Sequence, residues 1–372
     1  MCDREFKLPR TPRLMPPPPQ GLSVVIPTWN GRALLEEFLP SVAAATARYA
    51  QTSAEPVEIV VVDDGGTDDT RQWMTAAIST APVPVRLVAL PVNRGFAAAC
   101  NAGAAAATYS RMLLLNNDLS IEEEAIAPLV SQLDGAQLDG VPALSERRES
   151  KGLFAVHCRM KDLSTGEDVG TGKVGGFRWG FLRVHRSYAP AEHARRPLPS
   201  IFPNGGATLF DRGQFLELGG FDELFAPFYF EDVELGYRAW KRGWAVGYEP
   251  RAVVRHRFSS TIGSFGRSTI QEVSQRNRLL LHWIHLHDRR WLAQHAAWVG
   301  LLAIWSLVSF RPAFAKGLAG AIRRWRPALA RRRAEKLTAV RSDRDVVAEF
   351  DRLVARADVR AYDDPRELAL RE

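Results

Sequence analysis

Several polar side chains in this sequence stand where an apolar run stops, which is where an open α/β sheet collects its ligands. Leu113-Leu114-Leu115 reads as a buried strand, and Asn116-Asn117-Asp118 follows at its end. A single carboxylate there suits a divalent cation held against a diphosphate, since such an ion takes one or two protein carboxylates and leaves the rest to phosphate and water. A solvated strand-to-helix turn is the other reading, because Asn and Asp favour turns on their own account. Asp63 and Asp64 close the apolar run 57–62 in the same way. Asp64 could accept from a base N–H or a ribose hydroxyl, and Trp29 could stack on a base. A turn with acidic charge at a helix N-terminus explains the two acids equally well. Arg94 is either a diphosphate contact or a plain surface arginine.

In the second half, Glu231-Asp232 follows the aromatic run Phe228-Tyr229-Phe230, and His256 ends an apolar stretch. Partial desolvation by the aromatics raises a carboxylate's proton affinity and makes Asp232 a better general base. The alternatives are N-terminal charge on a helix for the acid pair and a plain strand-end histidine for His256. Gly205-Gly206 lets a sugar approach the backbone closely, or simply makes a tight turn.

Positioning these groups takes a layered α/β fold. Residues 22–26 form a β-branched strand stopped by Pro27, with a loop over 27–31 and a helix over about 32–49 behind it. Residues 57–62 are continuous in Ile and Val, as in a parallel strand buried on both faces, and Thr67 or Asp68 can cap a helix reaching about 79. A third strand over 85–90, an alanine-rich helix ending near 107, a fourth strand over 111–115 and a helix over 121–133 continue the alternation. That rhythm predicts a doubly wound sheet with right-handed crossovers. Further on, 154–160 reads as a strand, 162–179 as a hairpin and then a mobile loop, and 202–210 as a turn feeding a strand. A short helix over 214–218 stops at Gly219-Gly220. A helix then runs from the acid pair to about 242, and strands at 245–248 and 252–255 lead to His256. From 271 onward the chain reads as helical.

Neither G-x-G-x-x-G after the first strand nor G-x-x-x-x-G-K-[ST] occurs, so the usual dinucleotide and P-loop signatures are missing. What does occur, in order, is VVIPTWNG, VVVDDGGTDDT, NRGFAAACNAG, LLLNNDL, FPNGGATLF, GGFDE and FEDVELGYRAW. Over roughly residues 21–260 these strings resemble the family-2 inverting glycosyltransferases, most of all the bacterial branch with rhamnosyltransferases and related polysaccharide enzymes. The resemblance implies an α/β protein of GT-A fold, a Rossmann-like mixed sheet flanked by helices, with a helical C-terminal extension. It implies transfer of a sugar, rhamnose among the candidates, from a nucleotide-diphosphate donor to a hydroxyl of a glycan or lipid-linked acceptor, with inversion.

Carried over residue by residue, Pro27, Trp29, Asn30, Asp63, Asp64 and Arg94 fall at the nucleotide. Asp118 and His256 fall at the metal, Asn117, Gly205 and Gly206 at the donor or acceptor sugar, and Asp232 with Glu231 at the catalytic position, Asp232 as base. Asn116 departs from the family's Asp-x-Asp. One carboxylate with phosphates suits Mg2+, whereas a histidine ligand tilts the site toward Mn2+, so the implied cofactor is a divalent cation of either kind.

Two other readings compete. A nucleotide-sugar pyrophosphorylase-like nucleotidyltransferase shares the sheet but wants a Gly-rich, Arg-containing loop after the first strand, which 27–31 does not supply. A basic nucleic-acid-binding protein would use the C-terminal tail. It leaves Asp63, Asp64, Asp118 and Asp232 unexplained, so no nucleic-acid partner is expected.

Composition sets the outer bounds. With 372 residues, 46% hydrophobic and 24% charged, the chain is ordinary globular protein, long enough for one catalytic domain and an appendage. We divide it into a Pro-rich flexible leader (1–20), a catalytic domain (21–265) and a basic helical region (266–372). Cys2, Cys100 and Cys158 give neither a disulfide framework nor zinc-ligand spacing, which fits a reducing cytosol, and the N-terminus lacks an apolar signal core. The net charge of +7 is uneven: residues 311–341 hold ten Lys and Arg against Glu335 alone. Such a block suits anionic lipid, or is a solvated helix face. Residues 291–310 have the length to span a bilayer, about 20 residues. They are broken by Gln294 and His295 and carry Trp291, Trp298 and Trp305, a residue type that prefers the interface. A helix lying on an anionic membrane fits best, ahead of a spanning helix or a soluble cap. The expected location is cytoplasmic and peripheral, on the inner face of the plasma membrane.

Overall fold

The computed structural model describes residues 18–135, 138, 153–190, 197–257, 266–309 and 312–363. Most of the Pro-rich leader, the boundary at 265 and residues 310–311 lie outside the described residues. The first half runs β1 Leu22–Thr28, α1 Arg32–Ser53, β2 Val57–Asp63, α2 Thr70–Thr80, β3 Val85–Ala89, α3 Phe96–Ala106, β4 Arg111–Leu115, β5 Leu119–Ile121 and α4 Ile126–Gly135. Then come β6 Ala155–Asp162, β7 Asp168–Gly170, β8 Lys173–Arg178, β9 Phe181–Pro190, β10 Leu198–Pro199, β11 Ala207–Asp211 and α5 Arg212–Leu218. A 3-10 turn at Glu223–Phe225 leads to α6 Glu231–Lys241 and β12 Val246–His256. The C-terminal part is α7 Arg267–His285, α8 Arg289–Val308, α9 Ala313–Arg323, α10 Trp325–Thr338, α11 Asp343–Val354 and β13 Val359–Asp363.

The main sheet has the strand order β10-β12-β6-β11-β4-β1-β2-β3, with β5 on β12 and β7 on β6. β1, β2 and β4 are buried throughout, as their unbroken apolar runs require. Alanine-rich α3 lies close over them: a Cβ on Gly103 would stand 2.3 Å from Val25 Cγ1. β1 to β4 are parallel, so their loops emerge at one edge. β11 runs the other way against β4 with Ala207 opposite Leu115, so the Asn204–Gly206 turn enters at that same edge. β12 pairs antiparallel with β5, His256 opposite Leu119.

Several boundaries differ from those read in the sequence. β1 runs through Pro27 to Thr28, because β4 flanks β1 only as far as Val25 and the proline needs no partner on that side. The polar triplet leads into strand β5 and not into a helix over 121–133. Leu119 and Ile121 are buried with Ser120 between them, a strand alternation, and the helix begins only at Ile126. α2 starts later than a Thr67 or Asp68 cap would give, with Asp69 at its N-cap, although Asp68 Oδ1 still accepts from Thr70 N (3.2 Å). Residues 173–178 are no loop: β8, β9 and β13 form a second, antiparallel sheet. The strands read at 245–248 and 252–255 are one strand, β12, with an irregularity between Glu249 and Val253. β13 interrupts the helical C-terminal region.

That region is pinned to α6 by a buried cluster. Asp343 of α11 accepts from Lys241 Nζ (2.7 Å), the Tyr237 hydroxyl (2.8 Å) and the backbone N–H groups of His287 and Asp288 (both 2.6 Å). One turn earlier, Glu234 meets His285 Nε2 of α7 (2.7 Å) and Arg238 (2.8 Å). Removing one partner of a buried pair strands the other's charge. Asp343→Ala is therefore expected to lower the unfolding free energy by about 3–5 kcal/mol in urea, while Lys241→Met with Asp343→Leu restores most of it. A loss below about 1 kcal/mol for Asp343→Ala would show that the pair does not hold the C-terminal helices in place.

Candidate active site

The loops at the carboxyl edge are built around acids. Asp63 at the end of β2 is fully buried; its carboxylate accepts from Gly66 N (2.9 Å) and from Arg71 Nε. Asp64 accepts from Arg94 N and Gly95 N, each at 2.8 Å, one on each oxygen. Asp64 therefore holds the 94–95 loop, and each oxygen keeps a second lone pair for a ligand. Asn30, at φ 49°, accepts from Thr67 N (2.7 Å) and joins the loop after β1 to the loop after β2. Trp29 beside it is 43% exposed. The Arg94 guanidinium points to Glu223 (3.1 Å), an exposed ion pair within reach of the same edge.

At the end of β4 each residue of the triplet has its own task. Asn116 N donates to Gly206 O (2.9 Å), and a Cβ on Gly206 would stand 2.4 Å from Asn116 Nδ2. Gly206 is glycine because this amide lies against it. Asn117 Nδ2 donates to Thr28 Oγ1 (2.8 Å), tying the end of β4 to the end of β1. Asp118 is buried, and its Oδ1 stands 3.3 Å from His256 Nε2, a meeting that the β5–β12 pairing and the Arg257 N–Asp118 O bond (3.1 Å) enforce. Two ligands on one cation, each at about 2.1 Å, lie about 3 Å apart, so these two atoms can share an ion. Among the described residues no group of three His, Cys, Asp or Glu forms a metal site, so phosphate and water would complete the shell. The Asn116 Oδ1 is buried with no hydrogen-bond partner among the described residues. It is an acceptor of the kind a cation or a ligand hydroxyl takes up.

Across the triplet lies the acid pair. Asp232 Oδ2 accepts from Gly205 N (3.3 Å) and its Oδ1 from Val233 N (2.7 Å). A Cβ on Gly205 would stand 3.1 Å from Asp232 Cβ, so both glycines make room for side chains of the site. Burial, and then the charge of Asp232, push Glu231 up to about 8, and its Oε2 has no hydrogen-bond partner among the described residues. The raised value favours the neutral form of the Glu231 carboxyl beside Asp232. Tyr229 and Phe230 just before it have φ of 69° and 72°, a strained approach for L-residues.

The residues that hold that strained loop lie in α7 and belong to no motif in the sequence. Asn277 of α7, fully buried, sets its amide 2.6–3.0 Å from the carbonyls of Phe225, Phe228 and Tyr229, and Arg276 reaches the carbonyls of Phe225 and Ala226. An asparagine inside an amphipathic helix carries no motif. A cavity of about 270 Å3 lined by Arg111, Asp134 and Asp211 sits at the opposite edge of the sheet and takes no part in this arrangement.

Residues 23–190 match the family described as Glycosyl transferase family 2. The N-acetylglucosaminyl-diphospho-decaprenol L-rhamnosyltransferase of Mycobacterium tuberculosis is 29% identical over 302 residues, which cover 77% of this chain and 89% of the relative. The undecaprenyl-phosphate 4-deoxy-4-formamido-L-arabinose transferase of Klebsiella pneumoniae is 35% identical over 118 residues, 32% of this chain and 35% of the relative. Among solved structures, GalNAc-T7 with UDP, GalNAc and Mn2+ matches with a TM-score of 0.55 at 18% identity, over 72% of this chain and 48% of that one. S. aureus TarS 1-349 in complex with UDP-GlcNAc matches with a TM-score of 0.50 at 16% identity, over 90% of each chain. At such identities the structural likeness speaks for the fold, which is GT-A.

The raised Glu231 carboxyl has a consequence for stability. Its folded value lies above the unfolded one, so the protonated form stabilises the fold at low pH, and that contribution is lost as pH rises through about 8. Glu231→Gln cannot ionise and escapes the loss. The melting temperature of the variant is expected to gain on wild type between pH 5 and pH 9; parallel curves would mean that Glu231 is not held neutral.

Proposed function

We propose, on the premise that this chain belongs to glycosyl transferase family 2 through residues 23–190, that it moves a sugar with inversion from a nucleoside-diphosphate donor to a hydroxyl of a lipid-linked or glycan acceptor. Rhamnose is the first candidate sugar and cell-surface polysaccharide the product, a reading supported by the relative named as an L-rhamnosyltransferase on a diphospho-decaprenol. The observation that carries the proposal is the convergence at the end of β4: Asp118 meets His256 two residues after Asn116, and the Gly205-Gly206 turn that packs on Asn116 also holds Asp232. A diphosphate site and a base are thus set around one strand end, which a single displacement requires.

The residues divide the work. Trp29 offers its exposed ring to the base, and Asn30, Asp63 and Asp64 shape the loops around it. Pro27, at the end of β1, keeps the strand rigid into that loop. Arg94, paired with exposed Glu223, stands ready for the diphosphate. A divalent cation, Mg2+ or Mn2+, held by Asp118 and His256 would neutralise charge on the departing diphosphate. The acceptor oxygen bonds to the anomeric carbon as the bond from that carbon to the diphosphate oxygen breaks, and the electron pair leaves with the nucleoside diphosphate. Asp232 takes the hydroxyl proton, as a carboxylate does for water in inverting glycoside hydrolases. Glu231, held neutral, can donate a hydrogen bond to a substrate hydroxyl without repelling the diphosphate. Gly205 and Gly206 keep Asp232 and Asn116 close enough to act on the same substrate, and Asn117 braces them through Thr28. A lipid-linked acceptor puts the enzyme at the cytoplasmic face of the membrane, peripherally.

A panel of UDP-, dTDP- and GDP-sugars with Mg2+ or Mn2+, followed by thermal stabilisation, identifies the donor. With that donor, Asp232→Asn is expected to lower turnover by about 10²- to 10⁴-fold while the donor-induced melting shift stays nearly intact. Wild-type-like turnover removes Asp232 from the base role. Asp118→Ala is expected to abolish the metal-dependent part of the shift, and an unchanged metal response would move the cation elsewhere.

A further inference from the structure

α8 is inside out. Its apolar residues make it long and hydrophobic enough to cross a membrane, yet its two buried residues among the described ones are polar: His295 and Ser306, 2% and 1% exposed. Leu301, Ile304, Trp305 and Val308, spaced i, i+3, i+4, i+7, face outward with Leu307, and the last two aliphatics are 73% and 69% exposed. A helix packed for water shows the opposite arrangement.

One flank of α8 is occupied by protein from end to end. Trp291 stacks on Phe177 of β8 with centroids 4.1 Å apart, and Trp298 lies 6.1 Å from Trp179. His295 Nδ1 donates to Gly180 O (2.8 Å), where the hairpin comes so close that a Cβ on Gly180 would stand 2.8 Å from His295 Cα. Near the other end, the Ser306 hydroxyl accepts from Ala315 N of α9 (3.3 Å). A helix so fastened does not cross a bilayer alone, because the hairpin and α9 would have to enter with it.

Positive charge follows in the helices packed behind it. Ser306 of α8 touches Ala315 of α9, exposed Ile322 and Trp325 stand at the α9–α10 junction, and the exposed Lys316, Arg323 and Arg326 of these two helices have no carboxylate partner among the described residues. A second copy of this chain seated on the patch by two-fold symmetry would press these cations against their own kind. A nucleic acid would leave the apolar stripe in water. Anionic lipid satisfies both parts at once.

We infer that the outward face of α8, with Arg323 and Arg326, seats in the headgroup boundary of an anionic bilayer, the helix lying in the plane of the surface. This deepens the reading of a peripheral enzyme with a lipid-linked acceptor, and its test needs neither donor nor acceptor, so the two can fail separately. The full chain is mixed with sedimentable vesicles of phosphatidylcholine alone or with one third phosphatidylglycerol. Binding is expected with phosphatidylglycerol and at least tenfold weaker without it. Leu307→Ser with Val308→Ser, and separately Arg323→Ser with Arg326→Ser, should each weaken binding tenfold or more at unchanged melting temperature. Only the charge variant should lose its salt dependence. The inference is overturned if wild type ignores the anionic vesicles, if the serine pair binds like wild type, or if that pair turns a dimer into a monomer by light scattering.

Discussion

A carboxylate taken out of water must be given donors, and at the carboxyl edge of this sheet the donors are backbone N–H groups of neighbouring loops. Asp63 closes its own turn through Gly66. Asp64 reaches across to fix Arg94 and Gly95, and Asp232 reaches across to fix Gly205. Asp64 and Asp232 are each held by a segment distant in sequence, so satisfying these two side chains also joins the loops of the candidate site. Asn116 Oδ1 and Glu231 Oε2, near the same edge, are buried with no hydrogen-bond partner among the described residues.

The C-terminal helices belong to this arrangement and are not a passive appendage. Positive φ at Tyr229 and Phe230 costs about 1–3 kcal/mol each and persists only where the surroundings impose it. Asn277 and Arg276 of α7 impose it from behind, through the carbonyls of residues 225–229. The first turn of α6 is held by His285 through Glu234, and its far end by Asp343 through Lys241. The acid pair therefore starts a helix gripped at both ends by the region that also carries the outward-facing α8.

Much of this was legible from residue order. The Ile and Val runs specified β1 and β2 and the leucine run β4, and the motif strings put their polar followers at one edge, because parallel strands share a direction. What the sequence hid was pairing at a distance. The three residues of β5 are too few for a periodic signal, yet they seat His256 against Asp118. β8 was obscured by the stretch 162–179, rich in Gly, Thr and Asp, which reads as hairpin and loop until its partner strand β9 is seen. Gly205 and Gly206 read as space for a sugar; the structure shows them clearing Asp232 and Asn116. His295 looked like a flaw in an apolar helix, and it is the residue that docks that helix. Asn277 could not be found by pattern at all, since its role exists only opposite three carbonyls.

The central claim is a single displacement in which Asp232 takes the acceptor proton opposite a diphosphate held near Asp118. Its most direct test is the anomeric configuration of the first product. The donor that stabilises the protein is turned over with a saturable acceptor, and the new linkage is assigned by proton and carbon coupling at the anomeric centre before any equilibration. A single displacement gives a configuration opposite to that of the donor. Retention would require a second displacement or front-face attack, and would contradict it.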